Sequence, residues 1–192
     1  MTKEDLPPLH LRRLEPSDAA LYRAFRLRGL QDHPEAFTSS FEEESQRPLV
    51  DTEKRLSTDS PARMWGALEG GQLAGVFGFE REVRHKNSHK ATLIGLFVAP
   101  EFTGRGVGRA LVETVMQDAR DAGICLLVLT VTHGNERARA LYARAGFQTI
   151  GIEPDAIRVA GVSFGKEHMF FQISPSRPDS LPSTRAAAGT TA

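Results

Sequence analysis

The sequence predicts an α/β fold built on a mixed, mostly antiparallel sheet with a central parallel pair, flanked by helices. Three observations carry that prediction. Apolar stretches with strand periodicity are separated by segments whose apolar residues recur at helical spacing. Their order is strand, helices, three strands, helix, strand, helix, two strands, which means α/β with a mixed sheet. A helix also crosses between the strand ending at Val98 and the one starting at Ile124, and a right-handed crossover makes those two strands parallel neighbours.

Leu9, Leu11 and Leu14 suggest a short first strand, and Pro16-Ser17-Asp18 is a helix-start signal. Ala20, Leu21, Ala24, Phe25 and Arg28 then define a helix that ends before Pro34. The polar stretch from Thr38 to Asp59, with its acidic run Glu42, Glu43 and Glu44, reads as one or two short helices. Met64 to Leu68 and Leu73 to Glu82 form two strands joined through Glu69-Gly70-Gly71, where the glycines accept a turn. A basic loop, Arg84 to Lys90, precedes the apolar strand Ala91 to Val98; Gly95 within it is a candidate bulge that splays the sheet.

After Gly104 to Gly108, Ala110, Leu111, Val115, Met116 and Ala119 mark an amphipathic helix stopping near Gly123. Ile124 to Thr132 is almost continuously apolar, as for a strand covered on both faces. Asn135 opens another helix, carrying Ala138, Leu141, Tyr142 and Ala145, and Gly146 closes it. Phe147 to Ile152 and His168 to Ile173 are the last strands, with a loop around Gly161 between them. The expected organisation is a flexible N-terminus (1–8), one domain (9–173) and a disordered tail (174–192) rich in Pro, Ser, Thr and Ala.

The chain has 192 residues, enough for one sizeable core, and 24 basic residues balance 24 acidic ones. No global field therefore draws it to nucleic acid or to an anionic membrane. No stretch approaches a bilayer-spanning length, and Cys125, the single cysteine, reads as a buried structural thiol in a reducing, cytoplasmic setting. His85 and His89 have no matching Asp or Cys spacing, so they read as part of a solvated basic loop, and no metal is expected.

The segment that carries chemistry runs from Val98 to Leu111. Its glycines at 104, 106 and 108 lie between a buried strand and a helix, where several N–H groups can point outward as an anion cradle. The helix beginning near Val107 adds its positive dipole end, so a pyrophosphate there gains hydrogen bonds and charge together. A Walker loop would need Gly-Lys-Ser or Gly-Lys-Thr, and none occurs. A dinucleotide fingerprint fails because Arg109 stands three after Gly106 and no acid ends the next strand. A tight turn with no ligand stays open on this segment alone.

A second segment narrows the choice: Asn135, Ala138, Leu141-Tyr142 and Gly146-Phe147. With it, the stretch from about Leu93 to Phe147 resembles the GCN5-related N-acetyltransferase (GNAT) family, whose coenzyme motif matches the Gly-rich turn. The resemblance implies a single-domain GNAT-like fold that binds acetyl-CoA as cosubstrate and acetylates an amine-bearing acceptor. It implies that main-chain groups of Phe97 and Val98 hold the pantetheine and thioester. Amides of Gly104, Arg105, Gly106, Val107, Gly108 and Arg109 would hold the pyrophosphate. Asn135 would bond the pantetheine arm, Ala138 would lie along the coenzyme, and Tyr142 would set its hydroxyl beside the sulfur. Where the family's turn begins with Arg or Gln, this chain has Thr103, so Arg105 or Arg109 is expected to supply side-chain charge.

Attack on a thioester needs a neutral amine, a polarised carbonyl and a protonated leaving thiolate. A free lysine-like amine has a pKa near ~10.4, so about one in a thousand is neutral at pH 7. Family members often carry a glutamate on the strand corresponding to Ala91–Val98, and this strand has no carboxylate. Glu80 and Glu82, which share a face with Ala74, Val76 and Gly78, are the substitutes as general base; a solvated strand end is the bland alternative. Tyr142 is the candidate general acid. The run Glu42 to Glu44 could attract a cationic amine, or be a solvated helix face. The competing function is a catalytically weak acyl-CoA sensor or complex subunit. The family also admits a homodimer.

Overall fold

The computed structural model describes residues 9–173, and the expectations for 1–8 and 174–192 lie outside the described residues. Strand β1 (His10–Arg13) delivers Leu14 into the core, and a 3-10 turn at Pro16–Asp18 leads into α1 (Ala19–Asp32). Pro34 stops α1, as its missing N–H requires. The polar stretch that follows resolves into α2 (Phe41–Gln46) and α3 (Leu49–Leu56). Ser40 and Glu43 start α2 with a reciprocal capping box, so Glu43 belongs to helix initiation.

Strands β2 (Ala62–Glu69), β3 (Gln72–Arg81) and β4 (Lys90–Val98) form a meander. Helix α4 (Val107–Asp121) crosses to β5 (Leu126–Thr132), and α5 (Glu136–Arg144) leads to the hairpin β6 (Gln148–Val159) and β7 (Val162–Gln172). Among the described residues seven strands lie in the order β1-β2-β3-β4-β5-β7-β6, of which only β4 and β5 run parallel. The crossover rule placed that pair correctly.

Two faces of the sheet are covered by different helices. Arg63, Trp65, Phe77, Phe79 and Leu93 are in register on one face. There Asp118 of α4 accepts from Arg63 Nη1 at 2.7 Å and from Trp65 Nε1 at 2.8 Å. Val107, Leu111, Val112, Val115 and Met116 of α4 are buried against this face, and full burial of such side chains contributes ~1.5–3 kcal/mol each. The other face carries Met64, Val76, Gly78, Glu80 and Thr92 and lies under α1 to α3. Phe97 meets Phe25 of α1 there, with ring centroids 4.9 Å apart.

Three local expectations are corrected. The last two strands reach much further than Phe147–Ile152 and His168–Ile173: they pair as one long hairpin through Val159 and Val162, across register shifts. The polar residues 153–165 show no alternation because both faces of that extension are largely solvated. Strand β5 is not covered on both faces along its length: Leu127, Leu129 and Val131 are buried, whereas Thr130 on the opposite face is exposed. Cys125 is half-exposed, not buried. It precedes β5, where its amide donates to His89 O and its carbonyl accepts from Ile173 N.

Candidate functional site

Three pairs hold β4 to β5: Lys90 with Leu126, Ala91 with Leu127 and Thr92 with Val128. Beyond Thr92 the two parallel strands separate. The cause lies at Gly95, whose φ of +72° is open to glycine and strained for other residues. Val76 is opposite Phe97 and Gly78 opposite Ile94, so Gly95 and Leu96 together face Phe77. This is the bulge expected from sequence, and it bends β4 away from β5.

The N-terminus of α4 lies at the mouth of that opening. Gly104 and Gly106 have φ of +79° and +81° and open space where a side chain would begin. Thr103 N closes the preceding turn onto Pro100 O, and Ala110 N is the first α4 amide to find an intrahelical acceptor, Gly106 O. Among the described residues, the amides from Gly104 to Arg109 have no hydrogen-bond acceptor. Orphan donors at a helix start, without a capping side chain, make an anion site. Gly108 brings three segments together, since a Cβ there would lie 3.5 Å from Leu141 Cδ2 of α5 and 3.7 Å from Val98 Cγ2 of β4.

The side chains near the cradle are already engaged. Arg105 pairs with Glu69 of the β2–β3 hairpin and stacks 5.1 Å from the Phe102 ring centroid. Arg109 bonds Glu113 at 2.7 Å. The cradle is therefore a main-chain device. Arg28 of α1 reaches Glu101 with two 2.8 Å bonds, fastening the loop before the cradle to the other side of the molecule. That guanidinium, with the loop's own backbone, holds the Glu101 carboxyl well below its usual range, at about 2.

On β4, Ala99 N donates to Ala74 O. Antiparallel alternation then pairs the Phe97 main chain with Val76 and turns that of Val98 toward the opening. The expectation for Phe97 is corrected accordingly: its peptide groups belong to the ladder, and its ring packs under α1. Val98 keeps a main chain free for a ligand.

Asn135 caps α5, its Oδ1 accepting from Ala138 N at 3.0 Å; its side-chain NH2 has no bond within the described residues. Ala138 is half-buried against the core. Tyr142 is 6% exposed, between Phe77 and Phe147 at centroid distances of 6.1 and 5.7 Å. Burial pushes its phenol above the usual value, and among the described residues its hydroxyl has no hydrogen-bond partner. Phe77 is the residue opposite the bulge, so the phenol packs beneath the splayed segment.

The two candidate bases separate. Glu80 lies inside β3, one residue before its end, opposite Thr92 on the face under α1 to α3, and 3.7 Å from Arg55. Thr92 is three residues from Gly95, ~10 Å along a strand. Glu82 lies beyond β3, its amide bonded to Lys90 O, farther still from the bulge. The acidic run does not act as a unit either, because helical rotation sends its members in different directions. Glu42 is exposed and Glu43 caps α2. Glu44 is half-buried between Arg26 at 3.3 Å and Arg47 at 3.5 Å.

Two groups were not singled out from sequence. Arg26 of α1 puts Nη1 3.8 Å from the Cβ position of Gly95. Lys166 of β7 is 4% exposed, and its Nζ donates to Glu35 O, Ala36 O and Thr132 Oγ1 at 3.0, 3.2 and 2.9 Å. It ties the turn after α1 to the end of β5. Arg and Lys in polar or alternating segments carry no sequence signal of such roles. No group of three or more His, Cys, Asp or Glu among the described residues is placed to hold a metal.

The family model for the acetyltransferase (GNAT) family matches residues 28–147, more than half of the chain. N-acetyltransferase 8 of Rattus norvegicus is 34% identical over 104 residues, covering 54% of this chain and 47% of that protein. N-alpha-acetyltransferase RimI of Mycobacterium tuberculosis is 37% identical over 97 residues, covering 50% and 58%. The chain spans about half the length of the curated relatives it matches. Among solved structures, an acetyltransferase of GNAT family from Streptococcus pneumoniae superposes with a TM-score of 0.73 at 24% identity, covering 86% of this chain and 100% of that one. The yncA structure from Salmonella typhimurium, with its cofactor acetyl-CoA, gives 0.73 at 19%, covering 91% and 99%. At these identities the likeness establishes the fold.

Proposed function

Because the chain belongs to the acetyltransferase (GNAT) family, we propose that it binds acetyl-CoA and transfers the acetyl group to a nitrogen of an amine-bearing acceptor. The observation that carries this reading is the run of acceptor-less amides from Gly104 to Arg109 at the mouth of a splayed parallel pair. Its geometry fits a diphosphate, and the related yncA structure holds acetyl-CoA.

Acetyl-CoA, when bound, supplies an acyl carbon activated as a thioester. The cradle amides grip the diphosphate, and the main chain of Val98 and the side-chain NH2 of Asn135 line the path toward the bulge. Ala138 lies along the same path. Tyr142 is the proton donor to the leaving sulfur, since burial keeps its phenol protonated at neutral pH and its hydroxyl is uncommitted. The acceptor enters from the face under α1 to α3. Its proton leaves through water to Glu80, which is favoured over Glu82 by its place inside β3. The setting is proposed as cytoplasmic, in keeping with one unpaired cysteine. No helix among the described residues is long and apolar enough to cross a membrane.

A second reading, an acyl-CoA sensor or complex subunit, draws support from the absence of a carboxylate on β4 and from the ~10 Å between Glu80's strand position and the bulge. Titration calorimetry with acetyl-CoA and with CoA, followed by thiol release against a panel of amines, tests both. Saturable heat with thiol release above hydrolysis is expected. Heat without release for any amine leaves only the sensor, and no heat with either nucleotide removes both readings.

A further inference from the structure

A recess between α1, α2 and α3 is lined by Arg23, Arg26, Arg47 and Arg55, against two carboxylates, Glu44 and Asp51. Its charge is the reverse of what the acidic run on α2 suggested. Glu44 is shared by Arg26 and Arg47. Arg23 Nη2 donates only to a neutral carbonyl, Ser45 O, at 2.7 Å. Arg55 meets Glu80 across 3.7 Å, and its Nε is buried with no hydrogen-bond partner. Buried guanidinium donors left without acceptors are costly unless a ligand supplies them.

The recess adjoins the reaction centre proposed above. Arg26, one of its walls, puts Nη1 3.8 Å from the Cβ position of the Gly95 bulge. From these observations, and resting on the acetyltransferase reading, we infer that the acceptor is a small amine that also carries an anionic oxygen group, a carboxylate or a phosphoryl. That group is held by Arg23, Arg47 and Arg55, and the amine extends past Arg26 toward the bulge. Planar guanidinium forks match both kinds of oxyanion, and four guanidiniums against Glu44, Asp51 and Glu80 leave a positive surplus that disfavours a dicationic amine such as a polyamine.

The test uses probe pairs that differ only in the acidic group: L-methionine with L-methioninamide, and O-phosphoethanolamine with ethanolamine. Each is titrated calorimetrically into the full chain saturated with CoA. In at least one pair the acidic member is expected to bind tenfold or more tightly than its partner, and which pair does so identifies the oxyanion. Arg47→Gln and Arg55→Gln should each bring that ratio toward one. Equal affinity within both pairs overturns the inference, as does a preference that survives both substitutions, since the anion would then sit elsewhere. The CoA titration separates this from failure of the acetyltransferase reading. If CoA gives no heat, that reading falls, and the recess is judged by the same titrations on the protein alone.

Discussion

Arg26 and Gly95 meet across the α1–sheet interface, with the guanidinium Nη1 3.8 Å from the point where a side chain on Gly95 would begin. Arg26 thus stands between the recess it helps to line and the bulge of β4. Space alone would admit a methyl at Gly95, since the nearest atom is Met64 Cε at 3.6 Å. The φ of +72° would not. Gly95→Ala should therefore destabilise the fold by ~1–2 kcal/mol in urea unfolding, and weaken acetyl-CoA binding as the bulge relaxes toward regular strand.

The cradle allows a sharper comparison. Gly106 has φ +81° with nothing near its Cβ position, while Gly108 has an ordinary helical φ and neighbours at van der Waals distance. Gly106→Ala should raise the Kd for CoA about tenfold by rotating amides out of the cradle, an effect worth ~1.4 kcal/mol. Gly108→Ala should change Kd less than threefold. Calorimetry on both variants decides whether main-chain conformation is the source of affinity.

Removing the Tyr142 hydroxyl should lower kcat about 100-fold, in the range for a lost general acid, with the Kd for acetyl-CoA unchanged. Because burial raises the phenol's pKa above its ordinary value, Tyr142 stays protonated beyond pH 10. The unaltered chain should show no basic-limb loss from its ionisation below that pH. Full turnover in Tyr142→Phe would assign the residue to packing against Phe77 and Phe147.

For proton removal, the pH profile of kcat/KM is the measurement. Glu80→Gln should lower kcat/KM about tenfold and move the acidic limb, whereas Glu82→Gln should leave the profile as it is. Unchanged profiles in both would withdraw both carboxylates from the mechanism.

Glu101 links stability to pH. Its pKa falls from 4.5 to about 2 on folding, chiefly through the paired bonds from Arg28. A lowered carboxylate pKa favours the folded state above the unfolded value and loses that contribution as pH drops from about 4.5 toward 2. The pair is exposed, so its share is ~0.2–1 kcal/mol. Unfolding midpoints of the unaltered chain and Glu101→Gln should differ at pH 6, and the difference should shrink as pH falls from about 4.5 toward 2.

The sequence by itself determined the order of elements, the parallel neighbours β4 and β5, the bulge at Gly95 and the amide cradle from Gly104 to Arg109. These follow from local periodicity, from the handedness of one crossover and from what glycine allows a backbone to do, all written within a few adjacent residues. Only the tertiary structure decided the rest. Strand alternation chose Val98 over Phe97 as the open main chain. Ladder pairing carried β6 and β7 through a polar stretch with no pattern of its own. Helix rotation scattered Glu42, Glu43 and Glu44, and packing of α1, α2 and α3 gathered Arg23, Arg26, Arg47 and Arg55 from distant positions into one recess. Charge placed by long-range packing leaves no periodic mark in a chain whose basic and acidic residues balance, which is why the arginine-lined recess became legible only in three dimensions.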